Sequence, residues 1–171
     1  HVIAQILLTG SDIENEQRRS NFENTMSRLL ALGALPIINE NDTVATEEIA
    51  VGDNDSLGAI VACAIQADLL ILLSDIEGLY TADPHVHPEA RLISRVEAIT
   101  PAIEALAGAK GSELATGGME TKLRAAGMVM DRGIDMVIAN GQKPENLYDI
   151  IAGESVGTRF SARPAGRENA T

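Results

Sequence analysis

The 171 residues carry 25 Asp and Glu against 13 Lys and Arg, a formal charge of -12 that repels nucleic acid and anionic membrane surfaces. Apolar residues make up 45% and aromatics 2% with no Trp, so the chain reads as one globular domain with an aliphatic core, not a stacking platform for single strands. The lone cysteine, Cys63, excludes an intrachain disulfide. No apolar run nears the ~20 residues of a membrane span, so a cytoplasmic protein without nucleic-acid or membrane partners is expected.

Val2 to Leu8 is predicted as a buried strand that stops at Thr9-Gly10-Ser11-Asp12. Phe22, Met26, Leu29 and Gly33 follow at helical spacing, with Gly33 as C-terminal cap. Leu35 to Ile38 is the next strand and completes a βαβ unit, which implies a parallel pair. Thr46 to Val51 is either a short strand or an extended excursion. A helix is expected over Ser56 to Gln66, with Cys63 as core filling.

The unbroken aliphatic run after Asp68 fits a central parallel strand covered on both faces and ending at Ser74-Asp75. Gly78 to Pro84 reads as a loop, Arg91 to Glu97 as a strand and Pro101 to Leu106 as a short helix. Gly108 to Gly118, with four glycines in eleven residues, is expected to be a mobile connection. Met119, Leu123, Ala126 and Met130 share one face of the helix beyond it. Asp135 to Ala139 is a strand, Pro144 to Ile151 a helix opened by proline, and Gly157 to Phe160 a closing edge strand before a polar tail.

Two knots of carboxylates and carboxamides flank the second strand's exit and the next helix's start: Asn39 to Asp42, and Asp53 to Asp55. At the carboxyl edge of an α/β sheet such side chains face the ligand crevice. A carboxylate (Asp42) and a carboxamide (Asn54) there suit the ammonium and carboxylate of an amino acid, with Asn39 and Asp53 beside them. Helix capping by Asp53 or Asn54 accounts equally for one residue of the Asp53-Asn54-Asp55 run, but leaves the others and the first knot unexplained.

Thr116-Gly117-Gly118-Met119-Glu120-Thr121-Lys122 opens a helix with glycines, which lets backbone N–H groups approach phosphate oxygens and sets a cation one turn in. The Gly-Lys-Ser/Thr ending of a Walker A loop is absent. Ser74 and Asp75 mark a third crevice position. His85 and His87 lie in a proline-flanked loop without a further ligand and read as solvated, and no Ser-His-Asp or Cys-His arrangement suggests itself.

Pro36-Ile37-Ile38-Asn39-Glu40-Asn41-Asp42, Val51-Gly52-Asp53-Asn54-Asp55, Leu72-Leu73-Ser74-Asp75, Gly78-Leu79-Tyr80-Thr81-Ala82-Asp83-Pro84 and Thr116 to Lys122 together resemble, in order, motifs of the amino acid kinase family. The paired Asn-Glu-Asn-Asp and Gly-Asp-Asn-Asp knots are similar to its glutamate-phosphorylating branch. The resemblance implies an α/β, three-layer αβα sandwich around a mostly parallel sheet, as in carbamate kinase-like folds. It implies transfer of phosphate from ATP, with Mg²⁺, to the γ-carboxylate of L-glutamate, the first step of proline synthesis.

By the same resemblance Asp42 and Asn54 bind glutamate, and Ser74, Asp75 and Thr116, Gly117, Gly118, Met119, Glu120, Thr121 and Lys122 bind ATP. Lys122 is a catalytic lysine, and Asp55 stands where the family's aspartate aligns such lysines. Proline as feedback inhibitor and a homo-oligomer, dimer or tetramer, are also implied. One kinase domain over 1–171 is expected, incomplete at its start, because the family's first strand, its Lys-Gly-Ser loop and a substrate-contacting serine would precede His1. The RNA-binding-like C-terminal domain of some members is not expected. The rival readings are another carboxylate or carbamate kinase of this fold and a non-catalytic amino-acid sensor.

Overall fold

A computed structural model of the chain describes residues 1–42, 52–107 and 118–162. The strand β1 (Val2–Leu8) leads into a short helix α1 (Gly10–Glu14) and the longer α2 (Glu16–Ala31), and β2 (Ala34–Glu40) returns beside β1. The two strands are parallel, with Val2 opposite Ala34 and Leu8 opposite Glu40. Helix α1 replaces the simple stop expected at Thr9-Gly10-Ser11-Asp12. Its start is built by the Asp12 carboxylate, which accepts from the Thr9 N–H at 2.9 Å and the Thr9 hydroxyl at 2.6 Å. The Thr9 hydroxyl is the main cause of an Asp12 carboxyl held below its ordinary range. Asn15 then caps α2 through the Arg18 N–H, and Gly33 leaves α2 with φ +69°, the left-handed turn that glycine adopts without strain.

Phe22 and Met26 of α2 bury against Leu8 and against Leu57 of α3 (Asn54–Ala64), joined by Ile6 and Ile38. Those contacts use the even-numbered residues of β1 and β2. The odd-numbered Ile3, Leu7, Leu35 and Ile37 point to the opposite face and are exposed. Strand side chains alternate faces, so one helical layer covers only one of these two sets.

The second sheet contains β3 (Leu69–Ser74), β4 (Arg95–Val96), β5 (Asp135–Asn140) and β6 (Thr158–Phe160), in the order β3-β5-β6-β4. β3 and β5 are parallel, β6 runs antiparallel to β5, and β4 is parallel to β6. Two sequence expectations are corrected here. Among the described residues β3 is a terminal strand, not a central one, and β6 is interior, not an edge. Coverage explains the first: Leu70 and Leu72 face α3, while Leu69 and Ile71 face Val137, Ala139 and Ile150, so an apolar run reports two covered faces and not its rank in the sheet.

The main core lies between this sheet and the helices α3, α4 (Pro101–Ala107) and α5 (Met119–Met130). Ala59 and Ala62 of α3 and Ala125 and Ala126 of α5 are buried, and these small residues let the two helix backbones approach closely. A larger side chain at Ala126 would overpack the contact, at about 1–3 kcal/mol. On the other face Ile150 of α6 (Asn146–Ala152) closes a smaller cluster; α6 begins two residues after the expected Pro144 because residues 143–146 form a turn. The expected Arg91 to Glu97 strand shrinks to Arg95–Val96, with a separate bridge between Tyr80 and Leu92.

Thr158 is fully buried and satisfied twice: its hydroxyl accepts from the Leu79 N–H at 2.8 Å and donates to the Ile93 carbonyl at 2.6 Å. The loop beyond Ser74 is thereby fastened to the sheet. The expected excursion Thr46 to Val51, the glycine-rich residues 108–117 and the tail from 163 lie outside the described residues.

Candidate active site

Connectivity puts the starts of α3 and α5 on one edge. Helix α3 ends only a few residues before β3 begins and packs along it, so its start lies where β3 finishes. The same holds for α5 and β5. The starts of α3 and α5 therefore share the carboxyl edge with Ser74 and Asn140, opposite each other in the parallel β3–β5 pair. That edge is where ligands of open α/β sheets bind.

The Asp53-Asn54-Asp55 run divides into three environments. Asp53 is the N-cap of α3: one carboxylate oxygen accepts the Ser56 N–H at 2.7 Å, and the other accepts the Ser56 hydroxyl at 2.8 Å. Arg124 of α5 approaches that second oxygen at 3.4 Å. Asn54, one residue on, is exposed. Asp55 turns toward α5 and its Oδ2 accepts from Lys122 Nζ at 3.0 Å and from the Thr121 hydroxyl at 2.7 Å. The side chains of Lys122 and Asp55 are only 9% and 17% exposed. Lysine and aspartate are rarely withdrawn this far from water unless paired.

The first polar knot reaches the second through Glu40, whose carboxylate accepts the Gly52 N–H at 3.3 Å. Asp42 and Asn39 are both exposed, Asn39 on the uncovered face of β2. Ser74 donates to the Asp75 carboxylate at 3.0 Å at the tip of β3. Glu77, just beyond, accepts from Asn140 Nδ2 at 3.2 Å and from the Tyr80 hydroxyl at 3.4 Å. Burial and this anionic neighbour both push the Tyr80 phenol up from its ordinary range.

Helix α5 begins differently from α3. Gly118 occupies its N-cap position with extended backbone and supplies no side chain to cap it. First-turn N–H groups at such a terminus suit an anion. Met119 packs against the main core, so only its backbone faces the edge, whereas Glu120 is exposed. Thr116 and Gly117 lie outside the described residues.

The amino acids brought Asp55 and Lys122 together only through resemblance and gave no sign of Arg124, whereas the helix-capping alternative for the Asp53-Asn54-Asp55 run is met by Asp53. Arg124 stands two residues after Lys122 without any motif of its own. Its signal is positional: it meets Asp53 as Lys122 meets Asp55, on a second helix.

These features define the class: an α/β protein with an anion-suited helix start and a buried lysine–aspartate pair at the carboxyl edge of a parallel strand pair. Residues 2–140 match the model of the amino acid kinase family, and the chain belongs to that family. It is 48% identical over 167 residues to a glutamate 5-kinase of Clostridium perfringens, covering 95% of this chain and 62% of that protein. It is 53% identical over 159 residues to a glutamate 5-kinase of Deinococcus radiodurans, covering 93% and 44% respectively. The chain thus spans between less than half and about three-fifths of these relatives' lengths.

Among solved structures, an isopentenyl phosphate kinase of T. acidophilum superposes with a TM-score of 0.57 at 20% identity, over 80% of this chain and 52% of that one. A UMP kinase from Bacillus anthracis gives 0.58 at 15% identity, over 83% and 52%. These two matches establish the fold. Among the described residues no helix is long and apolar enough to cross a membrane.

Proposed function

We propose that the protein carrying this chain transfers the γ-phosphoryl group of ATP to the γ-carboxylate of L-glutamate, giving γ-glutamyl phosphate and ADP for proline biosynthesis. The buried Lys122–Asp55 pair at the start of two helices carries the reading. The substrate comes from the relatives, several of which are named glutamate 5-kinase at about half identity over most of this chain.

The chemistry asks little covalent help of the protein. A γ-carboxylate with an unperturbed pKa of about 4.3 is already ionised at neutral pH and needs no general base. The difficulty is to bring two anions together and to neutralise the transferring group. Lys122 is assigned that neutralisation, and Asp55 holds its ammonium at the edge. First-turn N–H groups of α5, with Gly118, Met119, Glu120 and Thr121, are assigned to the phosphates, and Ser74 and Asp75 to the rest of the nucleotide. Asp42 and Asn54 are assigned to the amino-acid head of glutamate, with Asn39 nearby. Asp53 is assigned to the same subsite only through the helix it caps.

Mg²⁺ supplies further charge neutralisation when bound. Among the described residues no three His, Cys, Asp or Glu side chains converge as a metal cage. The family resemblance adds proline as inhibitor and a dimer or tetramer as assembly. ADP release measured with glutamate, aspartate and N-acetylglutamate tests the reading. Turnover of glutamate alone is expected, and turnover of aspartate in its place would overturn the substrate.

A further inference from the structure

We propose that Thr121 is a positioning residue for the Asp55–Lys122 pair, which rests on the phosphotransfer reading above and goes beyond the nucleotide contact assigned to this threonine. Thr121 Oγ1 lies 2.7 Å from Asp55 Oδ2, the same oxygen that accepts Lys122 Nζ at 3.0 Å. It also lies 2.8 Å from the Gly118 carbonyl. A threonine hydroxyl has one hydrogen to donate, and here it has two acceptors within reach. The carboxylate wins, because a hydrogen bond to an ionised acceptor is roughly twice as strong as one to a neutral acceptor. Gly118 O, moreover, already accepts the Thr121 N–H at 3.1 Å.

Two consecutive residues of one helical turn therefore grip a single carboxylate oxygen of the neighbouring helix. The two grips differ in stiffness. Lysine holds through a flexible four-carbon stem, so by itself it would follow any swing of the aspartate. Threonine is β-branched and restricted at χ1, and its hydroxyl sits one bond from the branch. The threonine thus fixes the oxygen, and the fixed oxygen aims the ammonium. Aim matters here because an error of about 1 Å at a reacting centre can cost on the order of a hundredfold in rate.

Thr121→Val keeps the branched shape and removes the hydroxyl, Thr121→Ala is a second hydroxyl-free variant should valine not fold, and Thr121→Ser restores the donor. The hydroxyl-free variants are expected to lose on the order of tenfold in kcat, with KM for glutamate and ATP within about twofold, and Thr121→Ser to recover most of the loss. A readout independent of turnover is the set of three-bond Hα–Hβ couplings of Asp55 by NMR. One rotamer is expected in the parent and Thr121→Ser, and averaged rotamers in the hydroxyl-free variants. Asp55 couplings unchanged without the hydroxyl would overturn the proposal. So would a raised KM for ATP at unchanged kcat, which would confine the hydroxyl to nucleotide binding. Should the parent transfer no phosphate, the kinase reading fails and the couplings still decide the role of Thr121.

Discussion

Lys122 Nζ stands 3.0 Å from Asp55 Oδ2 across 67 residues of sequence, and both side chains are largely withdrawn from water. A salt bridge in this setting offsets its own desolvation only while both partners remain, so its two halves fail differently. Lys122→Ala is expected to lower kcat by about two orders of magnitude, if the ammonium contributes ~3 kcal/mol to the transition state. Asp55→Asn leaves the ammonium in place but frees its direction, and a smaller fall in kcat is expected. Steady-state kinetics of the two variants check this; equal, mild effects would put the reaction centre elsewhere.

Asp42 and Asp53 were assigned to the same subsite, yet their surroundings separate them. Asp53→Ala removes the acceptor for the Ser56 N–H and hydroxyl, so the helix start should lose about 1 kcal/mol and Tm should drop by about 2–4 °C. Asp42 is exposed, so Asp42→Ala should leave Tm unchanged, raise the KM for glutamate at least about tenfold and spare the KM for ATP. Thermal melts beside kinetics distinguish them. A Tm loss confined to the Asp42 variant would contradict the assignment.

Gly157 has φ +67°, and a Cβ built there would collide with the Ile138 carbonyl oxygen. The neighbouring Thr158 carries the hydrogen bonds that fasten the loop beyond β3. Gly157→Ala is therefore expected to destabilise the fold by about 2 kcal/mol or more, through positive-φ strain and overpacking. Denaturant titration measures this directly, and a variant as stable as the parent would refute it.

Burial pushes the Cys63 thiol above its ordinary range, and its Sγ lies 3.7 Å from the Met128 carbonyl. The reactive species is the thiolate, so a raised pKa lowers its fraction at any pH below that value. Alkylation of the native chain at about pH 8 should be much slower than that of the denatured chain, and should speed up as pH rises. Mass spectrometry of timed samples reads this; equal rates in both states would rule out the shielding of this partly buried thiol.

Local pattern was enough to place strands at Val2 to Leu8 and Leu69 to Ser74 and helices at the Phe22–Met26 and Leu123–Ala126 faces, because apolar runs and 3.6-residue spacing are properties of neighbouring residues. The rank of β3 and β6 in their sheet was not readable this way. An apolar run records how many faces are covered, and strand order depends on partners distant in sequence.

Polar patterning and resemblance together supplied the residues of the candidate site, but not the division of labour among them. In the Asp53-Asn54-Asp55 run the amino acids alone allow Asp53 or Asn54 to cap the helix and either carboxylate to meet a lysine. Helical phase and the close alanine contact between α3 and α5 separate the roles: Asp53 becomes the cap, and Asp55 points at Thr121 and Lys122. Composition and pattern determined that this chain folds as an α/β layer structure with polar side chains at one edge. Only the packing of two helices decided which oxygen meets which nitrogen, since that depends on helix rotation and separation, which no local stretch encodes.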